Sequence, residues 1–140
     1  MMIGFIGDIE ELTEENTDFR RVLYSGSKLQ LVLMSIAPGE EIGGEIHADN
    51  DQFFRIEDGE GRLVIDGETH KIKSGSGVVV PAGAHHNLIC TGHQPLKVYT
   101  IYGPPHHRDQ LVQKTKAEAD ASDEAFEGQA TEKIPDAVRV

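Results

Sequence analysis

The feature that most constrains this chain is the stretch from about Phe19 to Tyr102, where short β-prone segments follow one another with only turn residues between them. FRRVLY and KLQLVLMSI flank a Ser25-Gly26-Ser27 turn, and APGEEIGG breaks the chain before EIH. QFFRIE, RLVID, ETHKIK, GVVV, HNLIC and LKVYTIY then follow, separated by DGEG, DG, SGSG, PAGA and TGHQP. Strands this short and closely spaced, with glycine in most breaks and no helical period between them, build an antiparallel sandwich or closed barrel. LQLVLMSI and GVVV are nearly continuous apolar runs, which predicts cover on both faces from a second sheet or a partner subunit.

The 140 residues suffice for one domain with a core of its own, without staples. Acidic residues outnumber basic ones by 24 to 13, which argues against a nucleic-acid groove or a polybasic membrane patch. Cys90 is the single cysteine, so disulfide frameworks and cysteine-rich zinc sites are excluded. The start, MMIGFIGDIEELTEE, lacks a basic region ahead of an apolar run, and no run reaches membrane-spanning length. The expectation is a cytoplasmic protein with no membrane and no nucleic-acid partner.

The polar residues inside this β region suggest a pocket. Alternate strand residues share a face, so Glu45 and His47 project together while Ile46 points away. ADND turns the chain, and Gln52 opens a new strand that is expected to sit across from the Glu45/His47 pair. Of the adjacent His85 and His86, only one can face the same pocket.

Two spaced motifs in this region resemble the signatures of the cupin superfamily. Gly39-x5-Glu45-x-His47-x4-Gln52-x6-Gly59 is similar to the first, and Gly75-x5-Pro81-x-Gly83-x2-His86-x3-Cys90 to the second. The resemblance implies an all-β, double-stranded β-helix or jelly-roll barrel over residues 19–102. Residues 1–18 would be a lead-in and residues 103–140 an extension with a short helix and a mobile tail. It further implies a divalent metal ion (iron, manganese, zinc, nickel or cobalt) held by Glu45, His47, Gln52 and His86, and a homodimer, since the family commonly pairs. Two positions depart from the family pattern: Glu45 stands where a histidine is usual and Gln52 where a glutamate is usual. The exchange keeps the ligand charge, because the set still holds one carboxylate among neutral donors. Two imidazoles and a carboxylate suit non-haem iron, but mixed nitrogen and oxygen donors admit the other metals too.

The function this implies is a metal-dependent enzyme acting on a small oxygen-bearing molecule, dioxygenase-like or isomerase-like. The alternative is a non-catalytic small-molecule or sugar-binding module, with the same residues forming a hydrogen-bonded polar cluster. Phe54 shares the Gln52 face and is expected on the pocket wall, with Phe53 in the outer layer. Arg55 or Lys97 would hold an anionic substrate if turned inward, though an outward ion pair is the commoner fate. His106 and His107, after Pro104-Pro105, are read as a solvated turn, the alternative being that they fold over the barrel mouth as late ligands or substrate contacts, and His70 and His93 are read as surface residues. Thr115 to Glu118 has the spacing of a capping box and predicts a short helix, and the acidic IEELTEENTD segment reads as a solvated face.

Overall fold

A computed structural model of the chain describes residues 1–133. Among the described residues ten strands form two antiparallel sheets that face each other as a jelly-roll barrel. They are β1 (Arg20–Ser25), β2 (Gln30–Ile36), β3 (Glu45–Ile46), β4 (Asp51–Asp58), β5 (Glu60–Ile65), β6 (Glu68–Lys73), β7 (Gly77–Val80), β8 (His85–Cys90), β9 (Leu96–Gly103) and β10 (Val112–Gln113). One sheet runs β10-β1-β2-β9-β4-β7 and the other β3-β8-β5-β6. Helix α1 (Ile9–Glu15) precedes the barrel, and α2 (Lys116–Asp120) follows β10.

The turn chemistry places the strands. Asp66 and Gly67 both have positive φ, the conformation that joins β5 to β6 through two residues with the right twist. Part of the DGEG break is strand rather than turn, because β5 already begins at Glu60. Gly61 lies there so close to the neighbouring strand that a Cβ would stand 2.4 Å from the Ile89 carbonyl oxygen.

Each inward-facing stripe grades from polar to apolar. On β9 the stripe is Tyr102, Thr100, Val98 and Leu96; on β4 it is Gln52, Phe54 and Ile56; on β2 it runs from Gln30 to Ile36; on β8 it is His86, Leu88 and Cys90. The register pairs Tyr102 with both Gln30 and Gln52, so the polar ends meet at one end of the barrel. The other end closes as a core containing Ile36, Ile56, Leu63, Leu88, Leu96 and Val98. Burial of such side chains, about 1.5–3 kcal/mol each, carries the fold, while the polar end must satisfy its groups by pairing or by a ligand.

The apolar strands are not covered alike. On β2 even the outward Leu33 is buried, with α1 packed against β2, β4 and β9. On β7, an edge strand, Val79 is exposed in the single chain. Helix α1 differs from the expected solvated face: Asp8 caps it by accepting the Glu11 N–H at 3.1 Å, and Thr13 is fully buried. Helix α2 is the helix expected, with the Thr115 hydroxyl accepting the Glu118 N–H at 3.1 Å. Strand β10, in the C-terminal extension, extends the first sheet by pairing with β1. Of the segment read as a mobile tail, residues 128–133 lie along the barrel, where Thr131 N–H donates to the Ser25 carbonyl and Glu132 accepts from the Ile3 and Gly4 amides. Residues 134–140 lie outside the described residues. Among the described residues no helix is long and apolar enough to cross a membrane.

Candidate metal centre

Glu45, His47 and His86 converge at the polar end of the barrel. Glu45 on β3 pairs directly with His86 on β8. His47 follows β3, and one donor atom from each of the three lies within 4.8 Å of the others. Donors bound at about 2.1 Å to one ion stand at most about 4.2 Å apart, so small side-chain adjustments would close the set. His86 is fully buried while His85 is exposed, so only one of the pair faces inward.

Gln52 enters from a different direction than expected. It is not the cross-strand neighbour of Glu45; it belongs to the opposite sheet, paired with Tyr102 and Val80, and it faces the site across the barrel interior. The reason is that the connection from His47 to Asn50 carries the chain from one sheet to the other instead of turning it back as a hairpin. Gln52 is buried, and its amide nitrogen donates to the Thr100 hydroxyl at 3.0 Å.

Whether these residues fit a metal can be read from their unspent valence. His47 Nε2, His86 Nε2 and Gln52 Oε1 are buried and have no hydrogen-bond partner among the described residues. Glu45 Oε2 stands 2.9 Å from His47 Nε2, yet the imidazole nitrogen is off the line of a hydrogen bond, so both atoms present lone pairs to the same space. His86 Nδ1 lies 3.4 Å from the Ala84 carbonyl, which favours the tautomer with Nε2 bare. Orphaned buried polar atoms are rare because each forfeits its hydration. Two of them, on His47 and His86, beside the Glu45 carboxylate fit a divalent cation.

The electrostatics favour the same state. Burial pushes Glu45 up, but the adjacent His47, with smaller contributions from Arg20 and His86, outweighs it and holds the carboxyl below its usual range. Burial lowers His86, against the pull of the Ala84 carbonyl, and keeps the ring neutral as a ligand must be.

Several residues at this end were not expected there. Gln30 accepts the His106 and His107 amide N–H groups at 3.1 and 2.9 Å and donates to the His107 carbonyl at 2.7 Å. This clamp folds the exit segment over the barrel mouth rather than leaving it a solvated turn. His106 sits with its ring centroid 4.3 Å from that of His47 and 5.2 Å from that of Tyr102, and burial, aided by His107 and His47, lowers its pKa to about 4. His107 is buried, with Nδ1 2.7 Å from Glu124 Oε2 and Nε2 3.2 Å from the Tyr102 hydroxyl. The sequence signal for Gln30, Thr100 and Tyr102 was a polar residue at the inward end of an apolar stripe. Glu124 had no local signal.

The cation expected from Arg55 or Lys97 is elsewhere. Arg55 pairs with Glu57 at 2.7 Å and Lys97 donates to the Asn16 carbonyl. Arg20 is the buried guanidinium: Nη1 donates to Gln113 at 2.7 Å, Nε has no partner, and its charge reaches Glu45 and Tyr102. Phe54 lines the interior, 6.1 Å from His86 between ring centroids, while Phe53 packs in the outer layer against Tyr99. His70 and His93 are exposed, and the buried Cys90 donates to the Gln94 carbonyl at the opposite end of the β8 stripe from His86.

Comparison with known proteins agrees with this geometry. Over 127 residues the chain is 43% identical to uncharacterized protein YrkC of Bacillus subtilis, covering 86% of this chain and 68% of that protein. The crystal structure of BH2720 from Bacillus halodurans superposes with a TM-score of 0.83 at 42% identity, covering 84% of this chain and 94% of that one. Quercetin 2,3-dioxygenase of Bacillus subtilis is 26% identical over 117 residues, covering 83% of this chain but 35% of the enzyme. The family model for the cupin domain matches residues 32–102, the span that carries Glu45, His47, Gln52 and His86, and the chain belongs to the cupin family.

Proposed function

We propose that this protein is a metal-dependent cupin enzyme acting on a small oxygen-bearing molecule, with Glu45, His47, Gln52 and His86 holding the ion. The observation that carries this reading is the convergence of two partnerless buried imidazole nitrogens, of His47 and His86, beside the Glu45 carboxylate held in its ionised form. A bound divalent ion would polarise a substrate oxygen or, if redox-active, support dioxygen chemistry. The likeness to quercetin 2,3-dioxygenase supports an oxidative reaction of that kind.

The protein's own residues supply the surroundings. His106 caps His47 and screens the site from water, and Phe54 gives it an apolar wall. Neutral His106 is a base within reach of a bound molecule, since burial disfavours its protonated form. The exposed apolar side chains of Met1, Met2, Ile3 and Ile6 support pairing of two copies, in keeping with a homodimer.

The test is metal analysis of protein purified without chelators, followed by titration of the stripped protein. About one ion per chain is expected, with uptake abolished in His47→Ala and His86→Ala variants that keep their thermal transition. Absence of metal and of uptake in the unmodified protein would sink the metal reading and favour a binding module.

A further inference from the structure

Gln52 carries its carbonyl oxygen bare into the pocket, although a primary amide can turn over and present its NH2 group instead. What selects the orientation is a buried chain of hydrogen bonds that begins outside the barrel. Glu124 lies beyond α2, and its carboxylate also accepts the Arg108 amide N–H at 2.7 Å. Burial pushes its carboxyl up, but hydrogen bonds from His107 and Arg108 outweigh this and hold it ionised.

An ionised carboxylate only accepts, so His107 Nδ1, 2.7 Å away, must carry the proton. His107 is neutral because burial lowers its pKa, so Nε2 is a bare acceptor. The Tyr102 hydroxyl, 3.2 Å from Nε2, therefore donates to it. With its proton committed, the Tyr102 oxygen presents only lone pairs to Gln52, its direct cross-strand partner. The Gln52 NH2, which donates to Thr100, is thus favoured beside the Tyr102 lone pairs, and its oxygen is left without a partner in the barrel interior.

We infer that Glu124 is a positioning residue that acts through His107 and Tyr102 to fix the Gln52 amide with its oxygen toward the candidate metal centre. The inference rests on the reading of Gln52 as a pocket ligand. It gives the C-terminal segment a function in the site: Phe126 N–H donates to the His106 carbonyl at 2.9 Å and holds that segment against the mouth. A reversed chain would present two N–H donors where an oxygen is needed, so the polarity of the whole chain matters more than the strength of any one bond.

The test reads the chain with and without metal. In metal-free, ¹⁵N-labelled protein, two-bond histidine spectra should show His107 as the Nδ1–H tautomer, and the Gln52 NH2 protons should show contacts to Thr100 and Tyr102. Glu124→Gln can offer an N–H to Nδ1, and is expected to move His107 to the Nε2–H tautomer and shift the Gln52 amide resonances. Titrated with Co²⁺, E124Q should bind about 10-fold or more weakly, the usual cost of losing an outer hydrogen-bond partner. Tyr102→Phe breaks the same chain at its other end and should cost a similar factor, and the double variant should lose no more than either alone. In a Gln52→Glu background, where both oxygens are alike, E124Q should change Co²⁺ binding less than twofold.

An Nε2–H tautomer in the unmodified protein, or Co²⁺ affinities of both single variants within twofold of it, would overturn the inference. If E124Q does not fold, Y102F alone carries the Co²⁺ comparison. If the unmodified protein takes up no Co²⁺ but its tautomer and amide respond as described, the metal reading fails and the orientation of Gln52 by Glu124 stands.

Discussion

Gln52 is the residue at which the donor set is weakest, since an amide oxygen carries no net charge. Gln52→Glu would add a second carboxylate among the four donors, and tighter binding follows from ligand charge. Stripped Q52E is expected to bind Mn²⁺ or Co²⁺ at least about 10-fold more tightly than the unmodified protein, measured by calorimetry. Unchanged or weaker binding would place Gln52 outside the coordination shell. His106 sets a second expectation through its pKa of about 4, against 6.5 when exposed. As pH falls below about 6.5, the unfolded chain takes up a proton that the native ring refuses. The stability contribution is present above that pH and is lost progressively toward about 4. His86 and His107 are lowered in the same way and add to the loss. Urea midpoints should therefore drop between about pH 7 and 4.5, and His106→Asn should show a smaller drop.

At the scale of elements, periodicity marked out nine strands because each carries alternation or an apolar run between turn residues. The misses have physical causes. Strand β10 is too short to show a period and exists because β1 offers it an edge. Helix α1 carried a legible signal, Asp8 three residues before Glu11, that its acidity obscured; it is stabilised by its cap and by packing against the outer sheet face. Glu60-Gly61 read as turn because glycine is rare in strand interiors, yet glycine is required there by the approach of the Ile89 carbonyl. Gly61→Ala must push β5 away from β8, and the expected cost is about 1–3 kcal/mol or more in urea unfolding. Because β8 carries His86, the same variant should weaken metal uptake. A variant as stable as the unmodified protein would mean that the strands part without penalty.

At the scale of the molecule, the N-terminal arm presents Ile3 and Ile6 at 76% and 94% exposure while Glu132 holds the Ile3 and Gly4 amides. An ordered arm with apolar side chains facing water suits a partner copy. Light scattering should give twice the chain mass, and Ile3→Asp with Ile6→Asp should halve it; a monomeric unmodified protein would show that the arm serves something else.

The sequence by itself determined nine of the strands, the two-motif pocket and the shared face of Glu45 and His47, because alternation along a strand is a local property; that His86 rather than His85 faces inward came from the motif resemblance. It also marked Gln52 as inward, but not from which sheet. Only the tertiary structure decided that the polar ends of β2, β4, β8 and β9 meet at one mouth, since register is a relation between strands. Only it brought His106, His107 and Glu124 to that mouth. Such residues are placed by long-range packing and by hydrogen bonds that no local pattern encodes, including the Gln30 clamp and the carboxylate on His107.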